Sequence, residues 1–453
     1  MSAAWPPVAT ILRAPIVTMD PERPDAEAMA VAGDRIVAVG SLDDVRAAVP
    51  GAGEEALGGV ILPGLIDAHL HMERGGLKAL AYAADVTTVE EFMAVMLDTV
   101  HEPEWPGGEP TPAERVAGLE KVQPLLHALG FTGVVDPAVT IDELRGYREA
   151  HRQGLLTMRT VAMPYLELGS AAIADVDAAI AHLDGVGVAT GFGDDTLRLG
   201  PIKVYFDGEG LRGEALLNEP WDDAGFTGVQ RISDDDFARL VRFCADHGWG
   251  VGVHAVGGAA VDAVASVFAA EAERKPIADL RFQLIHAYLE PTASAIAAAA
   301  SAGVIASLQP SLIWHNGRGL VERLGERAHA ANPVRSWIDA GARVAFGSDG
   351  PFFTFDPRVL MEQAIGRRVS GVDQPLAPEQ GITIEEALAA YTTGAAWASL
   401  AEHSRGMIRP GLYADWALWS ADPREAAPGG LRALSVLRTD VGGRTVHAAP
   451  APR

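Results

Sequence analysis

The sequence predicts an α/β fold: a (β/α)8 barrel with a small β-sandwich domain formed by the N- and C-terminal segments. Three observations carry this expectation. From residue 60 onward, short apolar runs alternate with helical patterns, the texture of parallel βαβ units. Eight such runs can be counted, the number that closes a barrel. The two chain ends share a different texture, short strands and turns, so together they are expected to make one small β-domain.

Val8–Leu12, Ala28–Val31 and Arg35–Val39 read as strands, with Gly33-Asp34 as the turn between the last two. The eight runs are Val60–Ala68, Thr132–Asp136, Leu156–Pro164, Leu199–Phe206, Gly250–His254, Arg281–His286, Val304–Gln309 and Val344–Ser348. Helical stretches between them include Ile141–Gln153, Ile173–Leu183, Asp234–His247, Gly257–Glu273, Thr292–Ala302 and Pro333–Ala340. Ile384–Ser399 reads as a further helix, then Ala414–Trp419 and Leu434–Thr439 return to strand alternation. The domain limits that follow are 1–60 and 403–453 for the small domain and 61–402 for the barrel. Two intervals, 73–131 and 208–233, exceed a helix and its loops, and Glu102–Pro112 reads as an exposed excursion; long loops at strand ends shape substrate sites. An open doubly wound sheet is the structural alternative, but no glycine-rich phosphate loop supports a nucleotide there.

Composition narrows the class. Of 453 residues 48% are hydrophobic, enough for a large core, and the formal net charge is −24. No basic stripe exists to replace phosphate counterions, which argues against a nucleic-acid partner. Cys244 is the one cysteine, so a disulfide framework and a thiolate metal site are both excluded within one chain; it reads as a small buried apolar residue. Neither a secretory signal nor a membrane span is visible, so a cytoplasmic location is the default.

The strongest local signal is Leu62–His71, which ends in His69-Leu70-His71. Residues two apart on a strand face the same side, so both imidazoles can grip one cation. A pair of polar residues at a strand end is the plainer reading. His254 closes the fifth run, His286 the sixth, and Asp349 follows the eighth, all where barrel enzymes carry catalytic groups. Such nitrogen and oxygen donors suit Zn2+ or a similar divalent ion. Lys203 stands out by scarcity, one of four lysines against 32 arginines, placed inside an apolar strand. A desolvated lysine can be neutral and combine with CO2 into an anionic carbamate that bridges two metals; an ion pair with Asp207 or another acid at the barrel mouth is the equal alternative. Asp136, Tyr165, Tyr205, Gln309, Trp314 and His315 are secondary pocket candidates near strand ends, with Trp314-His315 read as an exposed loop.

With a His-x-His, a fourth-strand lysine, two later histidines and an eighth-strand Asp in that order, the chain resembles the amidohydrolase superfamily, and more narrowly its YtcJ-like branch (amidohydrolase family 3), which includes N-substituted formamide deformylases. Leu62–His71, Lys203–Gly208, Val253–Val264, Ile285–Tyr288, Gly303–Pro310, Phe346–Pro351, Ala387–Ala396 and Gly406–Trp416 carry the likeness, which spans nearly the whole chain. The resemblance implies His69 and His71 on one metal, His254 and His286 on a second, N6-carboxylated Lys203 bridging them, and Asp349 as ligand and base. Two divalent ions, Zn2+ by expectation, would serve hydrolysis of an amide, N-acyl or N-formyl C–N bond in a small-molecule substrate. Ile285 departs from the branch's frequent Glu, and Gly208–Glu214 from its usual serine-containing version; both bear on the substrate. The alternatives are a lactonase or esterase on the same site, a mononuclear deaminase, and a non-catalytic binding or assembly barrel. Neither a nucleic acid nor a membrane is expected as partner, and a homodimer is compatible with the sequence.

Overall fold

The computed structural model describes residues 9–98, 105 and 108–450. Among these residues seventeen strands fall into three sheets. The chain opens with β1 (Thr10–Val17), β2 (Asp25–Ala32), β3 (Arg35–Gly40), β4 (Gly53–Ala56) and β5 (Val60–Pro63). Next come β6 (Leu65–Asp67), β7 (Phe131–Val139), β8 (Arg159–Pro164) and β9 (Leu197–Leu199), a parallel sheet in sequence order. A second parallel sheet holds β10 (Ile202–Tyr205), β11 (Val251–Gly257), β12 (Gln283–Leu289), β13 (Ile305–Leu308) and β14 (Arg343–Phe346). The chain closes with β15 (Trp416–Trp419), β16 (Val436–Val441) and β17 (Arg444–Ala448). Strands buried on both faces read as unbroken apolar runs, which is why these were visible in the sequence.

The two parallel sheets meet on two sides, the end of β8 against β10 and the end of β6 against β14. At one side Tyr165 bridges Lys203 in parallel, and the Leu166 N–H donates to the Lys203 carbonyl at 3.0 Å. At the other, the Ala68 N–H donates to the Phe346 carbonyl at 2.9 Å and the Asp349 N–H to the His69 carbonyl at 2.7 Å. The terminal strands form one eight-stranded sheet in the order β17-β16-β15-β5-β1-β2-β3, with β4 on β1. Both chain ends do build it together. Its strands form one hydrogen-bonded path.

Two of the expected runs are split. Val60–Ala68 breaks at Gly64: β5 pairs with β1 and β15 in the small sheet, whereas β6 pairs with β7. A Cβ on Gly64 would lie 2.2 Å from the Thr132 side chain, so the crossing between sheets needs glycine. Leu199–Phe206 breaks at Gly200-Pro201, because Pro201 has no N–H for the ladder, and its halves join different sheets.

The helical patterns hold to within a few residues at most ends, helped by side-chain caps; Thr140, Ser233 and Thr292 each accept the N–H three residues on. Ile384–Ser399 is two helices, Ile384–Tyr391 and Thr393–Ala398, parted at Thr392. The interval 73–131 carries helices Met72–Tyr82, Val89–Asp98 and Pro112–His127. Of the Glu102–Pro112 excursion, residues 102–104, 106 and 107 lie outside the described residues. The interval 208–233 has neither helix nor strand, as its missing periodicity predicts. Trp314 and His315 are not in a loop: they sit in helix Pro310–Leu324, whose Pro at the first position starts the turn. Cys244 is free and buried. Among the described residues no helix is long and apolar enough to cross a membrane.

Candidate metal centre

His69 and His71 follow the end of β6, and the chain there is fixed by a buried acid two residues back. Asp67 Oδ1 accepts the His69 N–H at 3.0 Å and the Ser348 N–H at 3.1 Å, tying the first strand to the loop after β14. Gly347 makes room for this: a Cβ there would come within 2.4 Å of the His69 Cβ. The two imidazoles stand edge to face, ring centres 5.6 Å apart. Asp349 Oδ1 lies 3.5 Å from His69 Nε2 and 3.3 Å from His71 Nε2. One ligand atom from each of these three residues lies within 4.8 Å of the others.

His254 on β11 and His286 on β12 close the other side. The His286 ring is 5.0 Å from that of His69 and 4.6 Å from that of His254. His286 and Asp349 both hold left-handed backbone, at φ 75° and 56°, a conformation costly for residues with a Cβ and concentrated at functional sites. Lys203 enters from β10, and its buried Nζ has no hydrogen-bond partner. It makes no pair with Asp207, whose carboxylate instead accepts the N–H groups of Leu216, Val256 and Gly257 at 2.8–2.9 Å. The ion pair with Asp207 therefore fails on geometry; Asp349 and Glu209 act on Lys203 through their charge.

The electrostatics favour donor forms. Burial, then the Lys203 charge, lowers His69 to about 4, and burial first of all lowers His71, His254 and His286 too. Neutral imidazoles, with a free lone pair, are what a metal requires. Burial pushes Asp349 upward, but hydrogen bonds from His69 and His71 outweigh it and hold the acid well below its usual range. Burial brings Lys203 down to about 7, so a large share is neutral amine near pH 7. Buried imidazole nitrogens without partners, His69 Nδ1 and His71 Nδ1, and the orphaned amine make a donor set that fits divalent ions.

Of the six secondary candidates, four adjoin this cluster, Tyr165 through Tyr205. Gln309 Oε1 lies 2.8 Å from His286 Nδ1 while its Nε2 donates to the Ser307 carbonyl, which leaves His286 Nε2 free to ligate. Tyr205 stacks on His254 at 4.5 Å, and Tyr165 meets Tyr205 edge-on at 5.6 Å. Asp136 Oδ1 is 3.8 Å from His71 Nδ1. Its carboxyl accepts from the Tyr147 hydroxyl and from the Glu73 N–H, and burial, then Glu143, raises it to about 8. Trp314 is not brought to the cluster: it lies under Arg432 at 4.7 Å and lines a separate, largely apolar cavity of about 380 Å³. His315 Nε2 accepts the Thr354 N–H at 3.1 Å and also stays outside. Sequence reasoning missed Asp67, although an acid inside an apolar strand is the same signal that singled out Lys203.

Parallel α/β sheets with imidazoles, a lysine and one carboxylate gathered at their strand ends define a protein with a candidate metal centre. Residues 108–447 match the amidohydrolase family, and the chain belongs to that family, in its YtcJ-like branch. It is 31% identical over 256 residues to YtcJ of Bacillus subtilis (strain 168), a match covering 55% of this chain and 47% of that protein. It is 26% identical over 539 aligned positions to the N-substituted formamide deformylase of Arthrobacter pascens, covering 96% and 97%. An uncharacterised metal-dependent hydrolase from Pyrococcus horikoshii OT3 shares the fold, with a TM-score of 0.75, 20% identity and coverage of 93% and 99%. So does atrazine chlorohydrolase TrzN from Arthrobacter aurescens TC1, complexed with zinc, at a TM-score of 0.63, 22% identity and coverage of 96% and 94%.

Proposed function

We propose that the protein hydrolyses the C–N bond of an amide, N-acyl or N-formyl compound at a binuclear metal site. The observation that carries this reading is the convergence of four buried imidazoles, an ionised Asp349 and an unpartnered buried Lys203. Family membership and the full-length likeness to a formamide deformylase support it. The surrounding architecture we infer is a (β/α)8 barrel, supported by the hydrogen bonds that join the two parallel sheets on both sides, β8 to β10 and β6 to β14. The small sheet would be its β-sandwich, with Gly64 as the boundary near residue 60.

His69 and His71 would hold one ion and His254 and His286 the other, with Asp349 a further ligand. Lys203 would bridge them after its neutral amine attacks CO2: an N–C bond forms and the amine proton leaves to water. When bound, the divalent ions, zinc in our reading, bring the pKa of water down toward about 7 and polarise the scissile carbonyl. Asp349, held ionised, takes the proton of the attacking water and returns it to the leaving nitrogen. Gln309 fixes the His286 tautomer, and Asp67 fixes the spacing between His69 and the Asp349 loop.

A second reading has its own support. The ligand atoms gathered most closely are those of His69, His71 and Asp349, a mononuclear arrangement that would suit a deaminase. Metal content per chain, with an intact mass checked for one added CO2, separates the two. Two metals and a carboxylated Lys203 are expected; fewer than one metal with unmodified Lys203 overturns the binuclear reading. A panel of N-formyl and N-acyl amides beside lactones then tests the bond cleaved.

A further inference from the structure

Outward from the metal cluster, Tyr165, Tyr205 and Arg231 place three sets of hydrogen-bond donors side by side. Lys203 and Tyr205 are two apart on β10 and so share a face, and Tyr165 lies in register with Lys203 on the neighbouring strand. Both tyrosines are half-buried, and neither hydroxyl has a hydrogen-bond partner among the described residues. One side of the Tyr205 ring stacks on His254 at 4.5 Å; the Arg231 guanidinium carbon lies 5.9 Å from the same ring's centre. The cation and a proposed metal ligand therefore both adjoin the Tyr205 ring. The backbone of Arg231 is anchored, its N–H donating to the Phe206 carbonyl at 2.8 Å, while its side chain is 47% exposed.

What this group lacks is an acceptor. The nearest carboxylate to Arg231 is Glu214, at 3.7 Å, too far for a charge-assisted hydrogen bond. Glu209 shares the rim and feels Arg231 only through its charge. A planar guanidinium beside two phenol O–H groups matches a carboxylate, which can accept from all three. On a chain with net charge −24, an anionic ligand is repelled at long range and needs such a local cation.

We propose that Tyr165, Tyr205 and Arg231 bind a carboxylate carried by the substrate, so that the amide cleaved is of the N-acyl amino acid type rather than a neutral N-alkyl amide. This rests on the C–N hydrolase reading and specifies its substrate class. The test compares N-formylphenylalanine with N-formylphenethylamine, which differ only by the carboxylate. The metal-loaded protein should favour the acid in kcat/KM by 10-fold or more. Arg231→Gln should shrink that preference by about 10-fold to 100-fold, the loss of a charged hydrogen bond, and mainly through KM. Arg231→Lys should restore part of it, and added salt should weaken it in the wild type. No preference in the wild type, or an undiminished one in Arg231→Gln, overturns the proposal. Tyr205→Phe, which keeps the ring on His254, is the second variant should Arg231→Gln fail to fold. If neither compound is hydrolysed, calorimetric titration of both decides separately. Binding selective for the acid and lost in Arg231→Gln upholds the subsite while the C–N reading falls; equal binding, or none, removes the subsite.

Discussion

Replacing Lys203 by Met should make the metal-free protein more stable. The amine is buried, has no hydrogen-bond partner, and titrates at about 7 in the folded chain against 10.5 when free. At pH 8 folding therefore requires it to give up its proton against a pKa of 10.5, which costs about 3 kcal/mol at about 1.4 kcal/mol per pH unit. Methionine fills a similar volume with no charge to desolvate, so the variant should gain that amount. The sign follows from proton counting. Between pH 7 and 10.5 the unfolded chain binds the extra proton, so this group makes wild-type stability rise with pH through that window. The advantage of Lys203→Met should accordingly shrink from about 5 kcal/mol at pH 7 to nothing near pH 10.5. The assay is urea unfolding of chelator-treated protein in CO2-free buffer at several pH values, followed by tryptophan fluorescence. A variant less stable than wild type at pH 8, or a difference that does not change with pH, would mean that Lys203 is paired and the reasoning is wrong. Metal content should fall in the same variant.

Three other outcomes are expected. Asp415→Ala should cost about 3 to 5 kcal/mol in chemical unfolding, because Arg159 donates to both Asp415 oxygens at 2.5 and 3.0 Å in a buried pair; a loss under about 1 kcal/mol would show the pair to be dispensable. Gln309→Leu should weaken metal retention about 10-fold to 100-fold in chelator competition, since His286 loses the partner that sets its tautomer; unchanged retention would remove Gln309 from that role. Gly347→Ala should abolish metal binding while the far-ultraviolet dichroism persists, because its Cβ would fall 2.4 Å from the His69 Cβ; full metal loading would show that the loop yields.

Much of the fold was legible because the strands of the parallel sheets are buried on both sides and so appear as apolar runs. The polar residues that interrupt those runs were legible for the same reason: Lys203, His254 and His286 have no ordinary cause to be there. What escaped was whatever depends on distant chain. Nothing local shows that Gly64 divides a single run between sheets, since that break answers to Thr132 on β7. Asp67 acts through Ser348, 281 residues away. Trp314 and His315 were misplaced for a simpler reason: Gln309-Pro310 is a helix start, and the proline was not read as the first helical position.

The single residue between β5 and β6 also bears on how the molecule is made. β5 hydrogen-bonds to β15, near the other end of the chain, and one glycine later the path enters the strand that leads to His69 and His71. A chain emerging from the ribosome exposes these histidines early, but the strand that clamps their base is synthesised some 350 residues afterwards. Completion of the centre is thereby tied to synthesis of β15, and a polypeptide cut short before it would carry all six donors with their first strand unmoored.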